Sequence, residues 1–252
     1  MEKKYIDLGT RVAYFERAGE KPLVLLHGWG ANIESVVPII NAVSQQYHIY
    51  AYDSAGFGNS EEPREVWGTH DYEELLVRFL KAMDIKKATF IGHSFGGKTL
   101  SIFAAKHPEM VEKLVLIDAS GVLPKRSLKY YFKVYSFKLL RKIYTTFLSG
   151  DKDERLEKFY KKYGSDDYQA SQGIMRKTFV KVVNESTEEY FEKIEAPTLL
   201  VWGETDDATP LYMAKIFEQK IKDSGLVVLD GGHFSYIDDY GTFSAVLKSF
   251  LG

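Results

Sequence analysis

Short apolar runs separated by helical patterns recur along the chain and set its fold class. Six of them read LVLLHG after Pro22, IYAYD after His48, TFIGHS after Ala88, LVLIDAS after Lys113, TLLVWG after Pro197 and LVVLDGGH after Gly225. Their apolarity is continuous rather than alternating, which predicts strands buried on both faces of a parallel sheet. Helical patterns at about 34–46, 71–83, 95–107, 209–222 and 239–251 alternate with them and favour an open α/β sheet. The alternating stretch from Lys4 to Phe15 predicts an antiparallel edge hairpin.

One interval, 121–192, interrupts this alternation because it contains no strand pattern. We predict a helical cap inserted into a core formed by 1–120 and 193–252. Residues 121–150 contain seven Tyr or Phe, no Asp or Glu, and seven basic residues: Lys125, Arg126, Lys129, Lys133, Lys138, Arg141 and Lys142. The favoured interpretation is a lid whose aromatic side chains face a substrate. The alternatives are a patch for a membrane surface or an acidic partner, and a helical insertion with solvated lysines.

The composition excludes several classes of protein. The absence of cysteine excludes disulfides, thiolate metal sites and a cysteine nucleophile. A formal net charge of -2 gives no overall attraction to nucleic acid. No apolar segment follows the N-terminal lysines, and every apolar run is far shorter than the roughly 20 residues of a transmembrane helix. We therefore expect a cytoplasmic protein with no stable membrane insertion and no nucleic-acid partner.

The third apolar run ends in the strongest candidate for chemistry, Gly92-His-Ser-Phe-Gly-Gly97. It contains G-x-S-x-G between a predicted strand and a predicted helix, and the small residues two positions before and two positions after Ser94 suit a sharp, strained turn. Such a turn would expose the Ser94 hydroxyl. It would also place the Phe95 backbone N–H at a helix N-terminus, where a developing oxyanion could bind.

Other strand ends supply the remaining candidate groups, since ligands bind beyond the carboxyl ends of parallel strands. The first run ends in HGWG, where the Trp29 N–H is a second candidate oxyanion donor. The fifth run leads to Asp206 in GETDDATP and the sixth to His233 in GGHF. The adjacent Asp207, and Asp118 at the end of the fourth run, are alternative carboxylates.

Five further residues near these motifs receive other interpretations. His27 and His93 are expected to support the backbone of the site, and Asp53 to hold the Gly56–Gly58 turn. Gly92 to Thr99 also satisfies G-x-x-x-x-G-K-[ST], the phosphate-binding loop of NTPases. That pattern leaves HGWG, GGHF and the Asp206 turn unexplained, so Lys98 and Thr99 are placed on the first turns of a helix.

HGWG, DSAGFGNS, GHSFGG, GETDDATP and GGHF, in this order, resemble the α/β-hydrolase fold superfamily over essentially the whole chain. The resemblance implies a mostly parallel sheet of about eight strands flanked by helices, with 121–192 as the variable cap. It also implies a triad of Ser94 as nucleophile, His233 as general base and acid, and Asp206 orienting His233. The backbone N–H groups of Trp29 and Phe95 would form the oxyanion hole.

The function implied is hydrolysis of a small carboxylic ester, thioester or lactone through an acyl-serine intermediate, without cofactor or metal. A C–C bond hydrolase, an acyltransferase or a cofactor-free haloperoxidase would use the same triad, and a ligand receptor could retain it without turnover. The serine at the elbow argues against dehalogenases and epoxide hydrolases that use an aspartate there. The aromatic residues of the predicted cap suggest a small-molecule substrate with an apolar or aromatic part. The oligomeric state stays open.

Overall fold

The described residues of this protein form a sheet of eight strands. The computed structural model describes residues 2–125, 135–140, 142, 168 and 171–252. The strands are β1 (Lys4–Asp7), β2 (Arg11–Arg17), β3 (Lys21–Leu26), β4 (Tyr47–Tyr52), β5 (Ala88–His93), β6 (Val111–Ile117), β7 (Thr198–Gly203) and β8 (Ser224–Leu229). Their order across the sheet is β1-β2-β4-β3-β5-β6-β7-β8. The β1–β2 hairpin and the β2–β4 pair are antiparallel and every other pair is parallel, so the predicted fold class is confirmed.

Helices cover both faces of the sheet. They are α1 (Val37–Ala42), α2 (Thr69–Ala82), α3 (Phe95–Lys106), α4 (Gly173–Asn184), α5 (Leu211–Lys220), α6 (Ser235–Asp238) and α7 (Tyr240–Leu251). The helix predicted at 34–46 is a 3₁₀ turn, Ile33–Val36, followed by α1, and it ends at Ala42 because Val43 is extended. No helix among the described residues is long and apolar enough to span a membrane.

Side chains alternate along the strands between two apolar layers. On β3, Leu23 and Leu25 pack in the layer that contains Phe243 of α7, whereas Val24 and Leu26 pack in the layer that contains Phe79 of α2. All residues of β5 and of β7 are buried. This two-sided burial explains why these strands have continuous apolar sequences.

The burial predicted for the last run is wrong. Only Leu229 of β8 is buried, and Val228 is 43% exposed. The reason is its position: among the described strands, β8 pairs with β7 alone and forms an edge of the sheet. An apolar run therefore predicted the strand correctly without predicting where in the sheet it would lie.

The described residues of the predicted cap interval contain helix and no strand. Residues 135–140 are helical, α4 follows, and a 3₁₀ turn spans Glu188–Lys193. Phe191, near the end of the interval, is fully buried and stacks on Phe217 of α5, with ring centroids 3.9 Å apart. Residues 126–134, 141, 143–167 and 169–170, which include most of the predicted basic amphipathic helix, lie outside the described residues. The cap boundaries at 121 and 192 therefore remain a prediction.

Candidate active site

Ser94 lies at the turn between β5 and α3 in a strained backbone conformation. Its φ of +51° is in the left-handed region, which is costly for a residue with a Cβ. The turn is held from outside: the Ser94 N–H donates to the Ile117 carbonyl (2.9 Å), and the Ser120 N–H donates to the Ser94 carbonyl (3.1 Å). The structure thus places Ser94 at the strand-to-helix turn that the G-x-S-x-G pattern predicts.

The glycines of this motif are required by close backbone contacts. A Cβ on Gly92 would lie 2.7 Å from the backbone of Gly96 and Gly97, and a Cβ on Gly96 would overlap the Leu26 carbonyl of β3. At both positions these contacts are too short for any residue that has a Cβ. The first turn of α3 can therefore approach β3 and β5 closely, which is what leaves Ser94 at the apex.

His233 joins Ser94 to a carboxylate. It follows β8, and its Nε2 lies 2.9 Å from the Ser94 Oγ. Its Nδ1 lies 2.9 Å from the Asp206 Oδ2. In sequence, His233 is 139 positions from Ser94 and 27 positions from Asp206. This is the hydrogen-bond order by which an imidazole can accept a proton from a serine hydroxyl while a carboxylate holds its tautomer.

The Asp206 carboxylate is fixed in place by the turn that carries it. Its Oδ1 accepts the N–H groups of Ala208 (2.8 Å) and Thr209 (2.9 Å), and its Oδ2 accepts the Thr209 hydroxyl (2.6 Å). Burial pushes the pKa of Asp206 upward, but the hydrogen bonds from His233 and Thr209 outweigh burial and leave the pKa below its usual value. Asp206 is therefore ionised at neutral pH and suited to stabilise an imidazolium. The adjacent Asp207 is exposed.

Asp118, the other alternative carboxylate, bonds to two loops of the site rather than to the His233 ring. Its Oδ1 accepts the N–H of Gly203 at the end of β7 (2.8 Å). Its Oδ2 accepts the N–H (3.2 Å) and the hydroxyl (2.7 Å) of Ser235, two residues after His233. Burial raises the pKa of the Asp118 carboxyl to about 7, so it is a poorer acid for the site than Asp206.

The substitution Asp118→Ala should therefore lower the free energy of unfolding. We expect a loss of about 2–4 kcal/mol, because two buried N–H groups lose their acceptor and alanine tolerates a φ of +44° poorly. Urea unfolding measures this loss. The control is Asp207→Ala at the exposed neighbour of Asp206, where we expect a change within about 0.5 kcal/mol. Equal stabilities for the two variants would show that Asp118 does not hold the loops together.

His27, His93 and Asp53 support the backbone, as the sequence predicts. The His27 Nδ1–H donates to the Gly28 carbonyl (2.7 Å), and its Nε2 accepts the Ser54 N–H (2.9 Å). The His93 Nε2 donates to the His233 carbonyl (2.8 Å), and burial lowers the pKa of His93 to about 3. Both imidazole rings are thus neutral and stabilise the backbone of the site through hydrogen bonds.

The Asp53 carboxylate holds the turn that follows β4. It accepts the N–H groups of Ile33 (2.7 Å) and Asn59 (2.8 Å), and a Cβ on Gly58 would overlap it. This agrees with the structural role predicted for Asp53.

Trp29 and Phe95, the predicted oxyanion donors, line the same cavity as Ser94. Phe95 is the first residue of α3, directly after Ser94, so its N–H belongs to a helix N-terminus. Trp29 follows Gly28, where a Cβ would lie 3.3 Å from the Ser94 Cβ. The two rings pack edge to face at 5.3 Å. Their oxyanion role remains a prediction, and this arrangement is compatible with it.

A cavity of about 390 Å³ opens above Ser94 and His233. The core contributes Trp29, Phe95 and Met213 to its wall, and α4 contributes Phe179 and Val182. α4 lies within the interval predicted as a cap, but the sequence-based prediction singled out none of its residues. The apolar spacing of Met175, Phe179 and Val182 was the available signal.

The phosphate-loop interpretation receives no support from this geometry. Lys98 and Thr99 lie on the first turns of α3, as predicted. The Lys98 ammonium donates to the carbonyls of Val182 and Glu185, and the Thr99 hydroxyl to the carbonyl of Phe95. Among the described residues, no cluster of three or more His, Asp or Glu side chains could hold a metal ion.

Comparison with known proteins identifies the family. A family model for the alpha/beta hydrolase fold matches residues 21–240. The chain is 29% identical to 2-hydroxy-6-oxo-6-(2'-aminophenyl)hexa-2,4-dienoic acid hydrolase of Metapseudomonas resinovorans, over 96% of this chain and 88% of that protein. It is 25% identical to lipase 3 of Moraxella sp., over 98% of this chain and 86% of that protein.

Solved structures agree with this result. A crystal structure of a serine hydrolase involved in carbazole degradation matches with a TM-score of 0.75 and 25% identity, over 99% of this chain and 98% of that one. The motifs, the sheet order and the family model all lead to one conclusion: the chain belongs to the α/β hydrolase fold family.

Proposed function

We propose that this protein is a serine hydrolase that cleaves a small carboxylic ester, thioester or lactone through an acyl-serine intermediate on Ser94. The observation that carries the proposal is the continuous hydrogen-bond chain from Ser94 through His233 to Asp206, with 2.9 Å at each step. A serine hydroxyl is a weak nucleophile unless a neighbouring base takes its proton, and this chain supplies one.

In the proposed reaction, the Ser94 Oγ attacks the substrate carbonyl carbon while its proton moves to the His233 Nε2. The carbonyl π electrons move to oxygen, and the N–H groups of Trp29 and Phe95 stabilise the resulting oxyanion. When the tetrahedral intermediate collapses, His233 returns the proton to the leaving group. Water then repeats the sequence on the acyl-serine, releasing the acid and restoring Ser94.

The cavity supports a substrate with an apolar or aromatic part. The side chains of Trp29, Val122, Phe179 and Met213 line it near the triad. Trp29 also packs against Phe179 of α4 with ring centroids 5.4 Å apart. A volume of about 390 Å³ lies in the range of small-molecule sites, which is roughly 300–1,000 Å³.

The test is intact-mass analysis after treatment with a fluorophosphonate. Attack by Ser94 on phosphorus expels fluoride, so we expect a single adduct on the folded protein. Ser94→Ala and heat-denatured protein should give none, because the first lacks the nucleophile and the second lacks the aligned base. A well-folded wild-type protein that stays unlabelled would contradict the proposal and favour the ligand-receptor alternative.

A C–C bond hydrolase is the second candidate. The relative from Metapseudomonas resinovorans is named for a 6-oxo dienoic acid, and its similarity covers nearly the whole of both chains. The same three residues could serve that chemistry. Comparing turnover of 2-hydroxy-6-oxo-6-phenylhexa-2,4-dienoate with turnover of 4-nitrophenyl butanoate separates the two candidates, since each assay reports one bond type.

A further inference from the structure

Lys98 is a buried cation in the wall of the candidate active site. It lies one turn after Ser94 on α3, and it is 4% exposed. Its Nζ donates to the carbonyls of Val182 (2.5 Å) and Glu185 (2.6 Å), where α4 ends. Lys98, Val182 and Glu185 all line the cavity above Ser94.

Neither of these hydrogen bonds neutralises the Lys98 charge. Both acceptors are backbone carbonyls, and no carboxylate oxygen of the described residues forms an ion pair with Nζ. The nearby Glu185 uses its Oε2 to accept the N–H and the hydroxyl of Thr69, each at 2.7 Å. An ammonium has three N–H donors, and two of them have acceptors among the described residues, so a third can serve a further acceptor. Burying a charge is unfavourable unless a partner compensates it.

A role in fastening α4 to the core explains this charge only in part, because the last carbonyls of a helix carry partial negative charge and favour a cation without requiring a full one. An uncharged donor such as a glutamine amide could satisfy two carbonyls. The cation is explained if its partner arrives with the substrate, because the cavity that Lys98 lines is the one that contains Ser94 and His233.

We propose that Lys98 binds a carboxylate of the substrate, so that the substrates are acyl compounds that carry an acid group beside an apolar part. This inference rests on the proposed function and specifies its substrate class. The charge-assisted bond from Lys98 would orient the substrate, while the apolar wall would hold the rest of it.

The charge of Lys98 is sensitive to pH in a measurable range. Burial lowers the pKa of Lys98 to about 8, against a smaller upward effect of the Glu185 carboxylate. Lys181, which pairs with Asp71 at 3.6 Å, lies beside the Glu185 carboxylate at Gly68. His233 lines the same cavity as Lys98. Lys98 is protonated below its pKa, so preference for an acid substrate should be present near neutral pH and decline above about pH 8.

The experiment compares esters that differ only in charge. One pair, 3-(butanoyloxy)benzoate and 3-(butanoyloxy)benzamide, carries the difference on the alcohol side. The second pair, the mono-4-nitrophenyl ester of adipic acid and its terminal amide, carries it on the acyl side. For wild type we expect kcat/KM to favour the acid about 10- to 100-fold in at least one pair, the usual value of a charge-assisted hydrogen bond. The titration of His233 cancels in this ratio because both esters use the same triad.

Two variants separate charge from structure. Lys98→Gln keeps donors for the two carbonyls and should reduce the ratio to about 1, whereas Lys98→Arg keeps the charge and should retain most of it. If Lys98→Gln does not fold, the wild-type ratio still decides, since it should fall between about pH 7 and 9.5 as Lys98 loses its proton. If neither pair turns over, free adipate, but not adipamide, should slow fluorophosphonate labelling of Ser94.

A wild-type ratio near 1 in both pairs, or a ratio that Lys98→Gln leaves unchanged, would overturn the inference while the serine hydrolase proposal stands. A purely structural Lys98 would instead change the melting temperature and both esters alike. Absence of labelling together with absence of hydrolysis would mark failure of the proposed function itself.

Discussion

Replacing Ser94 with alanine should reduce kcat for 4-nitrophenyl butanoate by about 10⁴- to 10⁶-fold, as loss of a triad nucleophile does. The cavity and the candidate oxyanion donors remain in this variant, so KM should change little. The Ser94 Oγ contacts His233, and the turn itself is held by backbone hydrogen bonds to Ile117 and Ser120. The melting temperature should therefore stay close to that of the wild type. Steady-state kinetics measures kcat and KM, and thermal unfolding of the same preparation measures the melting temperature.

Ser101→Ala is the matched control for this variant. Ser101 lies on the same helix, but its hydroxyl bonds to Thr187 and to the Lys98 carbonyl, away from the triad. Its loss should cost about 1 kcal/mol of stability and leave kcat within a few-fold of wild type. Hydrolysis by Ser94→Ala at a tenth of the wild-type rate or more would remove Ser94 from the mechanism.

Asp206→Asn should lower kcat by about 10³- to 10⁴-fold, because it selects the wrong tautomer of His233. The Asn oxygen would stay where the N–H groups of Ala208 and Thr209 now meet Oδ1. The Asn amide group would then face the His233 Nδ1, which could only accept a hydrogen bond. The proton would move to Nε2, and the ring could no longer take a proton from Ser94.

The neighbouring Asp207 provides a control of equal charge. Asp207→Asn changes an exposed carboxylate one residue away, and the expected change in kcat is less than about threefold, since solvent screens exposed charges. Comparing kcat for the two variants therefore isolates the contact with His233 from the loss of one negative charge. Similar rates for Asp206→Asn and Asp207→Asn would assign the carboxylate role elsewhere, with Asp118 as the next candidate.

Local signals in the sequence were enough to predict most of the sheet. The six apolar runs correspond to β3 through β8, and the alternating stretch at the N-terminus corresponds to the β1–β2 hairpin. Side chains repeat with a period of two in strands and 3.6 in helices, so a short segment of sequence is enough to show which of the two it forms. Positions such as Gly92 and Gly96 were also readable, because only glycine tolerates the contacts made there.

The sequence also predicted that the candidate site residues lie at one edge of the sheet. Ser94, Asp206 and His233 each follow a predicted strand, and carboxyl ends of parallel strands meet at one edge of the sheet. The strand ends therefore predict that the three side chains lie near each other, without specifying their contacts. They left three carboxylates as alternatives, since Asp118, Asp206 and Asp207 all lie at that edge.

Only the tertiary structure shows which of these carboxylates contacts the His233 ring and which elements form the cavity. Asp206 reaches His233 because its turn orients Oδ2 toward the ring, whereas Asp118 is engaged by Gly203 and Ser235. The edge position of β8, and Lys98 meeting the end of α4, follow from contacts between segments far apart in sequence. Periodicity indicates whether a segment is a strand or a helix, but the partner that each residue contacts depends on how whole elements pack. The sequence by itself therefore determined the elements and the motif order, and packing determined which of those groups touch.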